Sequence, residues 1–504
     1  MKSWISDCLL QHRKCSPTAL SVLPDRVLNV DKGKIPRLHI IKPGDRGTYA
    51  ALSHCWGGNV ALRLTDDNLD DLKDGISWES LPKTFQDAVE VCRLLDIRYL
   101  WIDSLCIIQT SKLDWDEQGS KMHTVYSQAL LVIAADGAAN SEEGFLRHPK
   151  RNHPSLKLPF CPGKKFDRSG SGVDGRQSVH ARMKGVGGRD MFFHHRRHGE
   201  DRSNLSLRGW VLQESILAQR ILHFTAEEVT WECKEMSRCE CQIAPHTPKN
   251  SMIPVKQRLQ SPPNHALDWA ELVQDFSCRN LTYNTDRLVA MSGLAASIQP
   301  RDPAIFYHAG LWSDSLPLFL YWGCVPHSPN LPVSPRKSQR IIPPCAPTWS
   351  WASITGRVVF TLGEPSTHSY QDIQVSCRPS NKNMYGAVSG ATLTACAYVL
   401  EGQVFHDPAS MGENQYQIQF WSQGDSKQLL PPVGGTFLDV VGGGSTEIEG
   451  GDAVILVVHS LRIFLMLKPE SSLDDGTYRR VGLLVCGNFP RECCPPVRRI
   501  ITIA

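Results

Sequence analysis

The chain has 504 residues, more than one hydrophobic core usually supports, so we expect about two to four domains. Hydrophobic residues make up 41% and charged residues 21%, which indicates a folded globular protein rather than a disordered one. The formal net charge of +3 is too small to indicate a nucleic-acid partner, and no nucleic acid is expected.

The N-terminus does not read as a secretory signal, and the longest apolar runs are interrupted by polar residues. We therefore expect no membrane-spanning helix. Seventeen cysteines, an odd number in a long chain, favour reduced thiols over a disulfide framework. Together these features predict a cytoplasmic protein without a membrane partner.

Two groups of cysteines are candidates for metal sites because their members lie close together in the sequence. Residues 8–15 carry Cys-x3-His-x2-Cys, which is three candidate ligands with no obvious fourth. Residues 233–241 carry Cys-x5-Cys-x-Cys, a spacing that matches no common zinc motif. We assign no metal site, and we expect the first group to form a short amphipathic helix.

Residues 48–137 alternate between two periodicities. Short apolar runs at 48–52, 98–102 and 130–135 predict buried strands. Between them, 81–95 and 114–129 repeat apolar residues with a period near 3.6, which predicts two helices. Strands joined by helical crossovers pair in parallel, so the first domain is predicted to be α/β with a parallel sheet.

Polar residues follow each of these strands. Ser53, His54 and Cys55 follow the first, Asp103 the second and Asp136 the third. Because the carboxyl ends of parallel strands meet at one edge of the sheet, these residues are expected to share the edge where α/β proteins bind ligands. We call this edge the rim.

The remaining chain divides by composition. Residues 147–207 are basic and lack apolar periodicity, so we expect a solvated insert, and 220–233 predicts a hairpin. Helices are expected at 266–298 and 307–322, and the strand-rich tail predicts a β-sandwich or barrel. The predicted domains are a lead-in, an α/β domain, a linker with a helical region, and a β-rich C-terminal domain, at 1–45, 46–235, 236–346 and 347–504.

Three interpretations of the rim remain open. In the first, Cys55 or Cys106 is a nucleophile and His54 its base, although adjacent residues of an extended chain point to opposite faces. In the second, the carboxylates of Asp103, Glu117 and Glu214 cleave a glycosidic-type bond, such as the nicotinamide–ribose bond of NAD. In the third, the polar residues hold loops in place, and the domain is a non-catalytic interaction module.

No glycine-rich phosphate-binding fingerprint follows a predicted strand, so no cofactor is assigned and NAD enters only as a candidate substrate. His54 joins the three carboxylates as a candidate catalytic residue. The residues expected to bind such a substrate are those of the loops beside the rim, namely Ser53, Trp56, Gly57, Arg208 and Trp210.

Five blocks of sequence occur in an order and spacing that resemble the fungal heterokaryon-incompatibility (HET) domain. They are Tyr-Ala-Ala-Leu-Ser-His-Cys-Trp-Gly, Leu-Pro-Lys-Thr-Phe-Gln-Asp-Ala, Tyr-Leu-Trp-Ile-Asp-Ser-Leu-Cys-Ile-Ile-Gln, Asp-Trp with a following Met and Tyr, and Arg-Gly-Trp-Val-Leu-Gln-Glu, at 49–57, 81–88, 99–109, 114–126 and 208–214. The resemblance covers roughly 46–235.

The resemblance implies a cytosolic fungal protein of non-self recognition, which triggers programmed cell death when incompatible cells fuse. It implies protein partners in incompatibility signalling. Because three strand ends converge near His54 and Asp103, we also expect that the domain self-associates on activation and exposes the rim there. The resemblance also implies a flavodoxin-like fold similar to the Toll/interleukin-receptor domain, whose enzymatic members cleave NAD. Where the family has a Glu in its Asp-Trp-x-x-Glu pattern, this sequence has Gln118, and Glu117 precedes it.

Overall fold

The structure is a computed structural model of the full chain. It describes the following residues: 1–15, 20–58, 62–147, 155–159, 178–182, 203–226, 228–240, 256–257, 265–299, 302–324, 338–360, 370–406, 416–422, 429–432, 435–439, 447–458, 463–470, 476–486 and 495–504.

The first half of the chain alternates strands and helices around one sheet. Its elements are α1 (Lys2–Gln11), β1 (Ser21–Val22), β2 (Arg26–Asn29), β3 (Arg37–Ile40), β4 (Arg46–Gly47), β5 (Tyr49–Ser53), α2 (Leu69–Asp74), α3 (Lys83–Leu95), β6 (Tyr99–Trp101), α4 (Asp103–Cys106), α5 (Lys112–Gln128), β7 (Leu131–Ala134), β8 (Ser155–Pro159), β9 (Ser178–Arg182), α6 (Gly209–Leu217), β10 (Arg220–Phe224), β11 (Val229–Cys233) and β12 (Ser237–Cys239).

The sheet is mixed rather than parallel throughout. Its strand order is β12-β11-β10-β7-β5-β6-β2-β3. The four inner strands, β10, β7, β5 and β6, pair in parallel, as the strand–helix–strand pattern predicts. The outer strands pair antiparallel, so the prediction of a parallel sheet is wrong beyond this inner part.

The inner strands are buried because helices cover the sheet on both faces. Every residue of β5 and β7 is buried. Helix α3 buries Phe85, Val89 and Cys92 on its apolar face and ends at Asp96, which adopts a left-handed φ of 60°. The predicted helices at 81–95 and 114–129 are thus confirmed as α3 and α5, with bounds shifted by two residues or fewer at each end.

The hairpin expected at 220–233 is confirmed as the antiparallel pair β10–β11. Most of the basic insert at 147–207 lies outside the residues that the structure describes. Within it, β8 and β9 form an antiparallel pair. The described cysteines are free thiols except for Cys239, which is disulfide-bonded, so the expectation of reduced cysteines fails at that residue.

The second half of the chain continues with short helices and then with strands. Its elements are α7 (His265–Ser277), α8 (Arg287–Ile298), β13 (Tyr307–His308), β14 (Leu311–Trp312), α9 (Leu316–Phe319), β15 (Trp322–Cys324), β16 (Val358–Phe360), β17 (Tyr370–Pro379), β18 (Val388–His406), β19 (Tyr416–Phe420), β20 (Gly435–Leu438), β21 (Ala453–Val458), β22 (Ile463–Pro469), β23 (Thr477–Val485) and β24 (Val497–Ile503). Of the helices in the described ranges, none is both long enough and apolar enough to cross a membrane.

The single helix predicted at 307–322 is wrong, because that stretch begins with the hairpin β13–β14. Ala309 and Gly310 form its two-residue turn with φ values of 45° and 102°, and paired left-handed residues are typical of tight hairpin turns. The indole N–H groups of Trp269 and Trp351 donate to the Gly310 carbonyl at 2.7 and 2.9 Å. These buried hydrogen bonds fix the turn.

The C-terminal strands form a closed barrel, which decides between the two predicted β architectures. Strand β18 pairs with β21, β21 with β22, β22 with β23, β23 with β24, and β24 returns to β18. Strands β17, β19 and β20 extend this ring at its margins. The long strand β18 pairs with strands of the ring and also with β17 and β19, so it connects the ring to these extensions.

Two large apolar cores meet at α6. The first contains both faces of the inner sheet and includes Val211 of α6. The second is built by α7, α8, the β13–β14 hairpin and one side of the barrel, and it includes Leu212 and Ile216 of α6. Gly293 of α8 crosses α6 closely, and its backbone N–H donates to Gln213 Oε1 at 3.1 Å.

A buried arginine joins the barrel to the helical region. Arg480 of β23 is fully buried, and its guanidinium pairs with the buried Asp439 carboxylate at 2.9 and 3.1 Å. The same guanidinium donates to the carbonyls of Leu320 and Trp322, and it lies 3.5 Å from the Trp322 ring centroid. The charge is thus compensated on all sides.

Asp439→Asn should therefore destabilise the protein strongly, because it leaves the Arg480 charge buried without a counter-charge. We expect the free energy of unfolding to fall by about 3–5 kcal/mol. Urea unfolding, followed by the fluorescence of the tryptophans, measures this loss. Glu401→Gln is the matched control, because it removes only the partly exposed pair with Arg499 and should cost less than about 1 kcal/mol. Equal costs for the two variants would contradict this account.

Candidate functional site

The rim forms where β5, β6 and β7 end. His54 follows β5 directly, and Asp103 begins α4 one residue after β6 ends. The structure brings these two together, with His54 Nδ1 3.8 Å from Asp103 Oδ1. They approach because parallel neighbouring strands deliver their carboxyl ends to the same edge.

Asp103 is the most exposed of the residues that follow the three strands. Its side chain is 21% exposed, and Oδ2 accepts a hydrogen bond from Trp56 Nε1 at 2.8 Å. Oδ1 accepts from the backbone N–H of Ser104 at 2.7 Å, at the start of the short helix α4. Two donors on two elements therefore fix the orientation of this carboxylate.

His54 lies beneath Asp103 and is fully buried, edge-on to the ring of Phe85 at 5.1 Å between centroids. Burial lowers the pKa of His54 to about 4, against the opposing pull of the Asp103 charge. The imidazole is therefore neutral at pH 7. Its Nε2 has no hydrogen-bond partner among the described residues, which leaves one polar atom unused in a buried position.

Arg208 and Glu214 approach the rim from α6. Arg208, the N-cap residue of that helix, donates to the backbone carbonyl of His54. Glu214 is buried, and burial raises its pKa to about 7, although the Arg208 charge and the Ser53 hydroxyl lower it. The structure thus places a buried carboxyl group, protonated for part of the time near neutral pH, in the same electrostatic environment as Asp103.

Tyr126 is a rim neighbour that the sequence did not single out as functional. Its hydroxyl donates to the backbone carbonyl of Leu52 at 3.3 Å. Burial, with the charges of Glu214 and Asp103, raises the pKa of Tyr126 well above its ordinary range. Its ring is buried in the first core, and only its hydroxyl distinguishes it from a core aromatic.

Gly57 allows the loop after β5 to approach the loop after β7. Its φ is +76°, and a Cβ atom there would lie 2.0 Å from the Cβ of Asn140. Ser141 Oγ also donates to the carbonyl of Trp56 at 3.4 Å. Close packing of the two loops therefore requires glycine at position 57, independently of any ligand.

Trp210, another residue expected to bind a substrate, contacts α5 and the helical region. It packs edge-on against Trp115, with 6.2 Å between ring centroids. It also lies beside Asp286, whose pKa rises to about 6 because the carboxyl is partly buried. These contacts join α5 and α6 to the helical region rather than to Asp103.

Glu117 is not brought to the rim. Its side chain is 61% exposed and pairs with Lys121 at 2.7 Å on the outer face of α5. The neighbouring Gln118 is buried and donates from Nε2 to Asp25 Oδ2 at 2.9 Å. A step of one residue turns a helical side chain by about 100°, which separates these two environments. Gln118 therefore makes a buried contact with the segment before β2, whereas Glu117 faces solvent.

Two acidic residues of the sequence motifs are structural. Asp87 of α3 is buried and accepts from the backbone N–H groups of Phe145 and Leu146 at 2.6 and 2.8 Å. Asp114 forms a bidentate pair with Arg26 at 2.6 and 2.7 Å. Nothing in the local sequence marks either partner, because both contacts join distant segments.

Asp136, the third strand-end residue, belongs to a separate pair. Its carboxylate contacts His223 Nδ1 at 2.8 Å and accepts from Ser203 Oγ at 2.6 Å. Burial lowers the pKa of His223, but the hydrogen bond and charge of Asp136 outweigh burial and raise it overall. His223 was assigned only to a strand, so this polar pair emerges from the structure.

These elements define an α/β domain in which the ends of parallel strands and one helix converge on a buried polar cluster. Residues 49–214 match the family described as heterokaryon incompatibility protein (HET). The chain therefore contains a heterokaryon-incompatibility domain at these residues. No curated protein and no solved structure matched it in the comparisons.

The raised pKa of Glu214 makes a prediction about stability. Between pH 4.5, its ordinary pKa, and about 7, the folded protein holds a proton that the unfolded chain has released. Stability should therefore fall as pH rises through this window, by up to roughly 3 kcal/mol.

Glu214→Gln removes this titration, so its stability relative to wild type should increase with pH up to about 7 and then stay constant. Urea unfolding of both proteins at a series of pH values measures the difference. Parallel pH profiles of the two proteins would show that Glu214 titrates normally.

Proposed function

We propose that this protein is an effector of heterokaryon incompatibility, which acts in the fungal cytoplasm and triggers programmed cell death when incompatible cells fuse. The support is the family match across 49–214. We further propose that the rim, with Asp103 as its accessible group, is the part of the domain that acts.

The observation that carries this proposal is where the matched segment begins and ends. It starts at Tyr49, the first residue of β5, and ends at Glu214 on α6. The two ends of the segment meet, because Arg208, the N-cap residue of α6, donates to the backbone carbonyl of His54, the residue after β5. The stretch shared with the family is thus the stretch that builds and closes the rim.

The exposure of the rim residues supports a contact role for Asp103. His54 and Glu214 are buried, whereas Asp103 presents a fixed carboxylate to solvent. A charge that is already oriented binds a cationic or hydrogen-bonding partner without the cost of ordering a flexible side chain. We propose that activation clusters the domain and that protein partners in incompatibility signalling contact this carboxylate.

Asp103→Asn should reduce cell killing when the protein is overexpressed in a fungal host. The amide keeps the shape of the side chain but loses the charge, and it turns one acceptor for Trp56 or Ser104 into a donor. A charge-assisted hydrogen bond contributes about 1.5–3 kcal/mol, so binding at the rim should weaken roughly tenfold or more. Viable colonies counted at matched protein levels provide the measurement.

Asp70→Asn is the matched control, because Asp70 is 89% exposed on α2 and pairs only with Lys73 in the described part of the chain. It removes the same charge without touching the rim and should leave killing unchanged. If Asp103→Asn kills as efficiently as wild type, the rim is not the active part of the domain.

A second function, cleavage of NAD, is favoured by one observation in the same site. Glu214 is a buried carboxyl with a pKa near 7, close enough to Asp103 for each charge to affect the other, and glycosidic cleavage commonly uses two carboxyls in different environments. The inner strand order, second-first-third-fourth, is also that of flavodoxin-like folds and supports the likeness to Toll/interleukin-receptor enzymes.

If this second function holds, purified protein fused to a tetrameric coiled coil should release nicotinamide from NAD. Glu214→Gln or Asp103→Asn should then lower the rate by about 100-fold or more, and Asp70→Asn should not. Chromatography of released nicotinamide gives the rate. Killing by the fused protein without nicotinamide release would instead support a non-catalytic interaction module.

A further inference from the structure

Four side chains of types that can bind metal meet beside Arg220, the first residue of β10, whereas the rim lies where the parallel strands end. Cys8 and His12 lie one turn apart on the same side of α1 and its C-cap, and Cys15 follows as the chain leaves the helix. Cys233, the last residue of β11, completes the group. The sequence offered three of these ligands without a fourth, and the fold supplies the fourth from a distant segment.

The spacing of the ligand atoms fits a tetrahedral ion. The three Sγ atoms and the imidazole nitrogen all lie within 4.8 Å of one another, and Cys233 Sγ is 3.2 Å from His12 Nδ1. Zinc bound at about 2.3 Å to sulfur and about 2.0–2.1 Å to nitrogen separates its ligand atoms by roughly 3.5–3.8 Å. Small side-chain movements would therefore seat one ion among all four.

The donor set selects the kind of metal. Thiolates and an imidazole are soft or borderline ligands, which suit Zn²⁺ and not Mg²⁺ or Ca²⁺. Three cysteines and one histidine fill the four positions that zinc prefers, so no position is left for a substrate. Such closed sites stabilise folds rather than catalyse reactions.

The surroundings also balance the charge of a bound ion. Three thiolates with one Zn²⁺ leave a net charge of −1 in a buried place. The guanidinium of Arg220, which is 1% exposed, donates from Nε to Cys8 Sγ at 3.2 Å. A buried cation bonded to a ligand sulfur is the kind of outer contact that orients metal ligands and compensates their charge.

Buried cysteines often pack simply as small apolar side chains, but this group differs from such packing. It includes a histidine in hydrogen-bonding distance of a thiol, and a buried arginine that donates to another. Cys8, Cys15 and Cys233 are all free thiols, so no disulfide accounts for their meeting.

We propose that Cys8, His12, Cys15 and Cys233 bind one Zn²⁺ ion in a structural site, which fastens the N-terminal segment 1–15 to the end of β11. This replaces the earlier assignment of no metal site. All four ligands lie outside 49–214, so the site is an addition to the stretch matched by the family and is independent of the function proposed for the rim.

Metal analysis of the full-length protein tests the proposal directly. Protein purified under reducing conditions and dialysed against trace zinc should contain one zinc per chain by elemental mass spectrometry. Cys233→Ser should lose this zinc, whereas Cys377→Ser, a cysteine change on barrel strand β17, should retain it. Arg220→Gln should weaken zinc affinity by about 10–100-fold without removing a ligand.

Replacement of the metal on the folded wild type covers the case in which Cys233→Ser fails to fold. Protein freed of zinc by a chelator should melt at a lower temperature and regain its midpoint with ZnCl₂ but not with MgCl₂. Loading with Co²⁺ should give the visible absorption of tetrahedral thiolate coordination. Wild-type protein that binds neither ion, or Cys233→Ser that binds zinc as wild type does, would overturn the proposal.

Discussion

The parallel pairing of β5 with both β6 and β7 is the constraint on which the rest of the α/β domain depends. The five residues of β5 are buried, and the strand is hydrogen-bonded to a neighbour on each side. A shift of one residue would turn every side chain to the opposite face, so packing on both sides fixes the register. That register places Ser53 and His54 at the sheet edge, and the same pairing places Asp103 beside them.

Local periodicity predicted the elements that depend on local sequence. Helices α3 and α5 and the β10–β11 hairpin follow from apolar spacing and turn residues. The hairpin at 307–312 was missed because two consecutive left-handed residues, Ala309 and Gly310, interrupt a helix-like apolar pattern. The antiparallel strands β2, β3 and β12 were missed because only tertiary contacts recruit such short segments.

The candidate site was predictable only in part, because each motif contains both rim residues and polar residues that lie elsewhere. The sequence placed His54, Asp103 and Glu214 in one region, since parallel strands share an edge. It could not separate them from Asp87, whose carboxylate is consumed by loop N–H groups, or from Glu117, which faces solvent. Burial of polar groups depends on partners distant in sequence, and the spacing of residues along the chain does not identify those partners.

Helix α6 has a consequence for how the two halves of the protein communicate. It carries Arg208 and Glu214 at the rim, yet Leu212 and Ile216 pack into the second core with the helices and barrel. The family match ends in the middle of this helix, so excision at that boundary would strip away the surface on which it rests. Because α6 packs into both cores, a displacement of the C-terminal half would shift the residues that α6 holds at the rim.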